Sequence, residues 1–257
     1  MPKWSVSQKL LTTLILKHFM DFQRFNYQSV ATSEEKVAVA FPALMRKVYV
    51  WMSMALVITG LTAWIVAHNA SLLQLIYGNS ATIWILFAAE IGLVIALSAA
   101  IHKLSLPVAT LMFVVYSVLN GAVLSSIFLV YTMSSIATVF FITAATFGAM
   151  SVFGYVTKKD LSSIGKFLIM ALIGLIIATV VNLFMKNSGL DMIISYAGVL
   201  IFVGLTAWDT QKIKQMCLQA PDTGETMQKL ALLGALSLYL DFINLFIYLL
   251  RILGNRE

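Results

Sequence analysis

The chain has 257 residues, of which 60% are hydrophobic and 11% charged, and its mean hydropathy is +0.92. A soluble domain carries about 45–50% apolar residues and roughly twice that share of charge, so the composition excludes a soluble enzyme or binding domain, a disordered chain, a disulfide scaffold and a coiled coil. The net charge of +6 would suggest nucleic acid in a soluble chain. Here the basic residues sit mostly at the ends of apolar runs, which points to membrane topology and to no nucleic-acid partner.

Residues 1–45 form a polar leader. Residues 10–16, after Lys3 and Lys9, loosely mimic a signal peptide, but the stretch is short, contains Thr12 and Thr13, and runs into Lys17 and His18. It reads as an uncleaved leader, with at most a short surface helix. Residues 46–257 then form one membrane domain. A bilayer core about 30 Å thick takes roughly 20 apolar residues in a helix, and seven runs qualify, at about 48–67, 81–101, 106–130, 134–155, 167–185, 192–208 and 230–253. Pro107 opens the third run, where its missing N–H costs nothing. The expected fold is all-α, a polytopic membrane protein of seven transmembrane helices.

Of the 17 basic residues, all but Lys186, Arg251 and Arg256 fall on the side of the N-terminus. That side is therefore expected to be cytosolic, and seven spans then place the C-terminus outside. Cys217 is the one cysteine, so no intrachain disulfide can form.

An aspartate at the centre of a span costs about 2.5–3.5 kcal/mol on insertion scales. Such a group is expected to face the bundle interior, a partner or a wet path. Glu90 lies mid-way along the second run, Asp209 at the cytosolic end of the sixth and Asp241 near the middle of the seventh, and no Lys or Arg lies deep in any run. In the seventh, Ser237, Asp241, Asn244 and Tyr248 follow i, i+4, i+7, i+11, one stripe on a helix. Ser237, Asn244 and Tyr248 read as helix–helix hydrogen-bonding groups, with Asn244 and Glu90 also the candidates for lining an ion path. Asp241 reads as functional. Asp209 has two readings, functional or an interfacial ion pair with Lys212 or Lys214. Glu90 also has two, functional or protonated in a closed bundle. Trp51, Trp84, Tyr131, Tyr155 and Trp208 form an interfacial belt. Gly198 and Gly204 are expected to serve close packing, the methionines to fill the core, and Asn120 and Asn182 to be packing groups.

The sixth and seventh runs read GLTAWDTQKIK over 204–214 and SLYLDFINLFIYLLRILG over 237–254. These motifs and the seven-span layout resemble the Bax inhibitor family, also called the transmembrane Bax inhibitor motif family, in a bacterial form, over about residues 45–254. The resemblance implies six helices around a central, C-terminal seventh, in a bacterial inner (plasma) membrane. It also implies a pH-sensitive calcium leak in which two aspartates, matching Asp209 and Asp241, form a hydrogen-bonded proton-sensing pair. Glu90 matches an acid of the family's second helix. Two features depart from the family pattern. Residues 215–228 look like a long loop, and the second helix has no Arg to balance the pair, only His102 and Lys103 at its cytosolic end. For the two carboxyl groups to meet, the seventh helix has to begin as a cytosolic extension, near Met227.

Two carboxylates close together in a poorly solvated site cannot easily both ionise, so they are expected to hold one proton between them. A shared proton latches the two helices, and losing it adds repulsion, which gives a closed state at lower pH and a leakier one at higher pH. Calcium takes about six to eight oxygen ligands in a tight site. Asp209 and Asp241 with carbonyls and water would hold it only transiently, which suits passage better than storage. The partners expected are the lipid bilayer, calcium and protons, with no resident cofactor.

Two rival readings remain open at the level of sequence. An intramembrane aspartyl protease would also use two aspartates sharing a proton. It requires a G-x-G-D type motif, whereas residues 238–241 read LYLD, and its P-A-L motif follows the dyad, whereas the only such triplet here, 42–44, precedes the first span. No enzymatic activity is therefore expected. A regulatory protein binding a membrane protease or another membrane protein would use the leader as its contact. A retinal receptor is excluded by the lack of a lysine inside the seventh run. Metal catalysis is not expected from His18, His68 and His102, which are scattered, or from Cys217 alone.

Overall fold

The computed structural model describes residues 41–219 and 224–256, so the polar leader lies almost wholly outside the described residues. The chain divides into two units, Met1–Ala43 and Leu44–Glu257, and the packing below is that of the second. The described helices are α1 (Phe41–Ala67), α2 (Ala70–Tyr77), α3 (Ser80–Ala100), α4 (Leu106–Leu124), α5 (Ile127–Val130), α6 (Met133–Val156), α7 (Ser162–Met185), α8 (Ser188–Gln219) and α9 (Gly224–Leu253). Among the described residues there is no strand, and one isolated bridge joins Tyr131 to Arg256. Among the described residues, seven segments are long and apolar enough to cross a membrane: α1, α3, α4 with α5, α6, α7, α8 and α9. The fold is therefore an all-α polytopic membrane fold. Phe141 on α6, Phe184 on α7 and Leu200 on α8 are 71%, 81% and 72% exposed, a surface suited only to lipid.

Local chemistry sets the helix ends. Asn79 and Thr132 accept hydrogen bonds from Ala81 N and Ser135 N to cap α3 and α6. Pro107 falls in the first turn of α4. α7 ends where Lys186 turns left-handed at φ 51° and donates its N–H to Asn182 O. The Asn182 side chain accepts from Asn187 N, and that of Asn187 from Leu190 N. Asn182, expected to be a packing group, instead builds the turn that reverses the chain between α7 and α8.

The spans differ greatly in enclosure. In the most apolar part of each, α9 is 72% buried and α8 44%, the other spans 28% or less and α3 only 11%. α9 packs on α8, α6 and α4; α8 packs on α6 and α7; α3 packs on α4 and α2. Two glycines let these helices approach closely. A Cβ on Gly154 of α6 would lie 2.2 Å from Ala207 O of α8, and one on Gly198 would lie 2.6 Å from the Tyr248 ring of α9.

The helices overrun the apolar runs. α8 extends to Gln219, and α9 begins at Gly224, three residues before the expected Met227. The expected long loop over 215–228 is thus corrected: the described residues on both sides are helical, and 220–223 lie outside the description. Hydropathy shows only the part of a helix that lipid covers, whereas Gln, Lys, Met and Leu after Asp209 are good helix formers in water as well. Cys217 is buried near the C-terminal end of α8.

Candidate functional site: buried polar groups of the last two helices

The DTQ sequence of α8 sends three side chains to three places. Asp209 is half-buried. Thr210 is fully buried; its hydroxyl donates to Thr206 O at 2.8 Å and contacts Ser151 Oγ of α6 at 2.9 Å. Ser151 in turn meets Tyr49 Oη of α1. This hydroxyl chain joins α1, α6 and α8, and its three protons serve its three contacts. Gln211 brackets the turn between α6 and α7: its Nε2 donates to Lys159 O and its Oε1 accepts from Leu161 N, both at 2.8 Å. Lys212 lies with Nζ 5.1 Å from the centre of the Trp208 ring, and its charge acts on both Asp209 and Asp241.

Asp241 sits on the enclosed face of α9 with 4% exposure. Its Oδ2 is buried and has no hydrogen-bond partner. The charge of Asp209 acts on this carboxyl group across the α8–α9 contact. Two other members of the stripe make contacts within the bundle. Asn244 is half-buried and donates to Leu240 O of its own helix at 2.8 Å. Tyr248 stacks on Phe202 with ring centres 5.9 Å apart and lies under the Arg251 guanidinium, which reaches Asp191 Oδ1 at 3.4 Å.

Glu90 belongs to a second set. It is buried on α3 and accepts from Asn120 Nδ2 of α4 at 3.3 Å. Asn120 Oδ1 accepts from Tyr239 Oη of α9 at 3.0 Å. Tyr239 Oη lies 2.7 Å from Thr59 Oγ1 of α1, and Thr59 donates to Ser117 O at 3.0 Å. Asn120 is thus a hub between helices. Tyr239 and Thr59 were not singled out by sequence. Tyr239 stands two residues before Asp241, on a different face from the stripe, so periodicity passed over it. The available signal was a hydroxyl inside an apolar run, since a buried Tyr O–H finds a partner.

Among the described residues no three His, Cys, Asp or Glu side chains converge as a metal-ligand group.

Fold and site together define a multi-span helical membrane protein that keeps acidic groups inside its bundle. A family described as inhibitor of apoptosis-promoting Bax1 (Bax1-I) matches residues 42–257. The inner membrane protein YbhL of Escherichia coli (strain K12) is 51% identical over 215 residues, covering 83% of this chain and 92% of that protein. An uncharacterized protein of Borreliella burgdorferi is 44% identical over 226 residues, covering 88% and 97%. The uncharacterized protein RP147 of Rickettsia prowazekii (strain Madrid E) is 46% identical over 213 residues, covering 83% and 89%. The chain belongs to the Bax inhibitor family.

Proposed function

We propose that this protein is a pH-sensitive calcium leak of a bacterial inner membrane, with α9 as the central helix and Asp209 and Asp241 as its proton-operated gate. One observation carries the reading: Asp241 Oδ2 is buried without a hydrogen-bond partner on the most enclosed helix, within electrostatic reach of Asp209 on the neighbouring one. A proton held between two such acids latches α8 to α9. Its loss leaves like charges in a poorly solvated site and favours separation. Calcium is the cargo, held weakly by the same oxygens and bordered by Asn244. The location named for the Escherichia coli relative and the placement of the basic residues support an inner-membrane protein with its N-terminus in the cytosol and its C-terminus outside. The reading assigns no catalytic role.

The test is calcium flux into proteoliposomes across a pH series. Flux should rise with pH in the native chain, and Asp241→Asn should remove most of that dependence because an amide cannot lose the proton. An unchanged pH response in both Asp241→Asn and Asp209→Asn rules out the gate. Absence of flux at every pH rules out the leak and favours a purely regulatory membrane protein.

A further inference from the structure

Glu90 and Leu97 are the buried residues of α3 between 81 and 100, so an acid is one of two groups that seat this lightly packed span. Its polar tie to the bundle is the chain Glu90–Asn120–Tyr239–Thr59–Ser117 O, four contacts long. Each contact needs one proton. Thr59 and Tyr239 bring one each. The Asn120 amide donates from one end only, so it serves either Glu90 or Tyr239 and offers its oxygen to the other. With Glu90 ionised, the four contacts share three protons. If Asn120 donates to Glu90 and Tyr239 donates to Asn120, the Thr59 proton has to serve both Tyr239 and Ser117 O. The chain Tyr49–Ser151–Thr210 has no such shortfall, because it closes on its own protons.

A fourth proton, on Glu90, completes the set. Glu90 then donates to Asn120 Oδ1, the turned amide donates to Tyr239 Oη, Tyr239 donates to Thr59, and Thr59 donates to Ser117 O. We propose that Glu90 is a second proton-binding site, separate from the two aspartates, and that the proton it takes up reverses the Asn120 amide and closes a continuous hydrogen-bond chain pinning α3 to α4, α9 and α1. Losing that proton leaves one buried contact unserved, and α3 is released from its polar anchor. The titratable groups facing Glu90 are Tyr116 of α4 and Tyr239 of α9, on both of which its charge acts. Tyr116 packs edge-on against Tyr239 and is not a link in the chain. The proton completes a hydrogen bond that exists only in the folded chain, so the stability it contributes is lost as pH rises and the proton leaves.

The test is infrared difference spectroscopy of the full chain in liposomes during a pH titration, with melting temperatures over the same range. The native chain should show a protonated-carboxyl band that vanishes as pH rises. The band should be absent in Glu90→Gln, present in Asp209→Asn and Asp241→Asn, shifted in frequency in Tyr239→Phe and unshifted in Tyr116→Phe. In Glu90→Gln the introduced amide N–H replaces the missing proton, so this variant should keep the native melting temperature measured at low pH and lose less of it than the native chain as pH rises, the remaining fall belonging to the aspartate pair. No carboxyl band that Glu90→Gln removes, a band indifferent to Tyr239→Phe, or a Glu90→Gln melting temperature that falls with pH as steeply as the native one overturns the proposal. None of these readings involves calcium, so the aspartate gate stands or falls separately.

Discussion

Both ends of the Gln211 amide are committed to one turn, between Lys159 and Leu161, some fifty residues earlier in the chain. Gln211→Leu removes the donor and the acceptor together; the buried Leu161 N–H is left unserved, which should cost about 1–3 kcal/mol, while the exposed Lys159 can offer its C=O to water. Gln211→Glu keeps the acceptor for Leu161 and should lose less. Thermal unfolding in detergent checks the order, and equal losses for the two variants would refute the bracket. The same residue shows what the sequence could and could not reveal. Asp209 was legible because a carboxylate at the very end of an apolar run stands out in the sequence. Thr210 and Gln211 were not, because their meaning lies in Ser151 and in the 157–161 turn, and no local spacing connects them. Asn120 was visible as a polar residue, but its partners Glu90 and Tyr239 come from two other helices.

At the scale of the element, α6 and α8 meet through a backbone contact. Gly154→Ala places a methyl group 2.2 Å from Ala207 O. A carbonyl cannot swing aside as a flexible side chain would, so the helices have to part, at a cost of about 1–3 kcal/mol. On the same α6, a Cβ at Gly148 meets nothing within 4 Å, so Gly148→Ala should be neutral or stabilise by up to about 1 kcal/mol through helix propensity. Side-by-side melting curves decide this, and equal effects would show that the contact carries no weight. The positions of the helices followed from hydropathy, but their lengths did not. α8 runs from Ser188 to Gln219 where the apolar run covered only 192–208, because a helix does not stop where lipid does.

For the whole molecule, the seven-span plan was readable from hydropathy, whereas the ranking of the spans by enclosure was not, and a central seventh helix was implied only by the family resemblance. Lipid tails are about as apolar as leucine, so a helix facing lipid and one facing protein can carry similar side chains. α3 and α9 both look like ordinary spans, yet one is 11% and the other 72% buried in its most apolar part. Each carries a buried acid, Glu90 on α3 and Asp241 on α9, so an acid alone does not rank them, and Tyr239, which ties α9 to its neighbours, was not singled out by sequence. Orientation rests on the basic residues. A cysteine introduced near Asn255 should react with an impermeant thiol reagent on intact cells, and one in the Lys158–Lys159 turn should not; the opposite pattern would invert the topology. The Arg251–Asp191 contact is half-exposed at the C-terminal end of α9, so Asp191→Asn should lower stability by no more than about 1 kcal/mol, and less in high salt.

Cys217 is the single thiol in the chain and is buried in the folded protein. A dye that fluoresces only on reacting with sulfur therefore has one target, shielded until the end of α8 leaves its packing. The native protein carries its own label for following denaturation, with no engineered cysteine and no background from a second site.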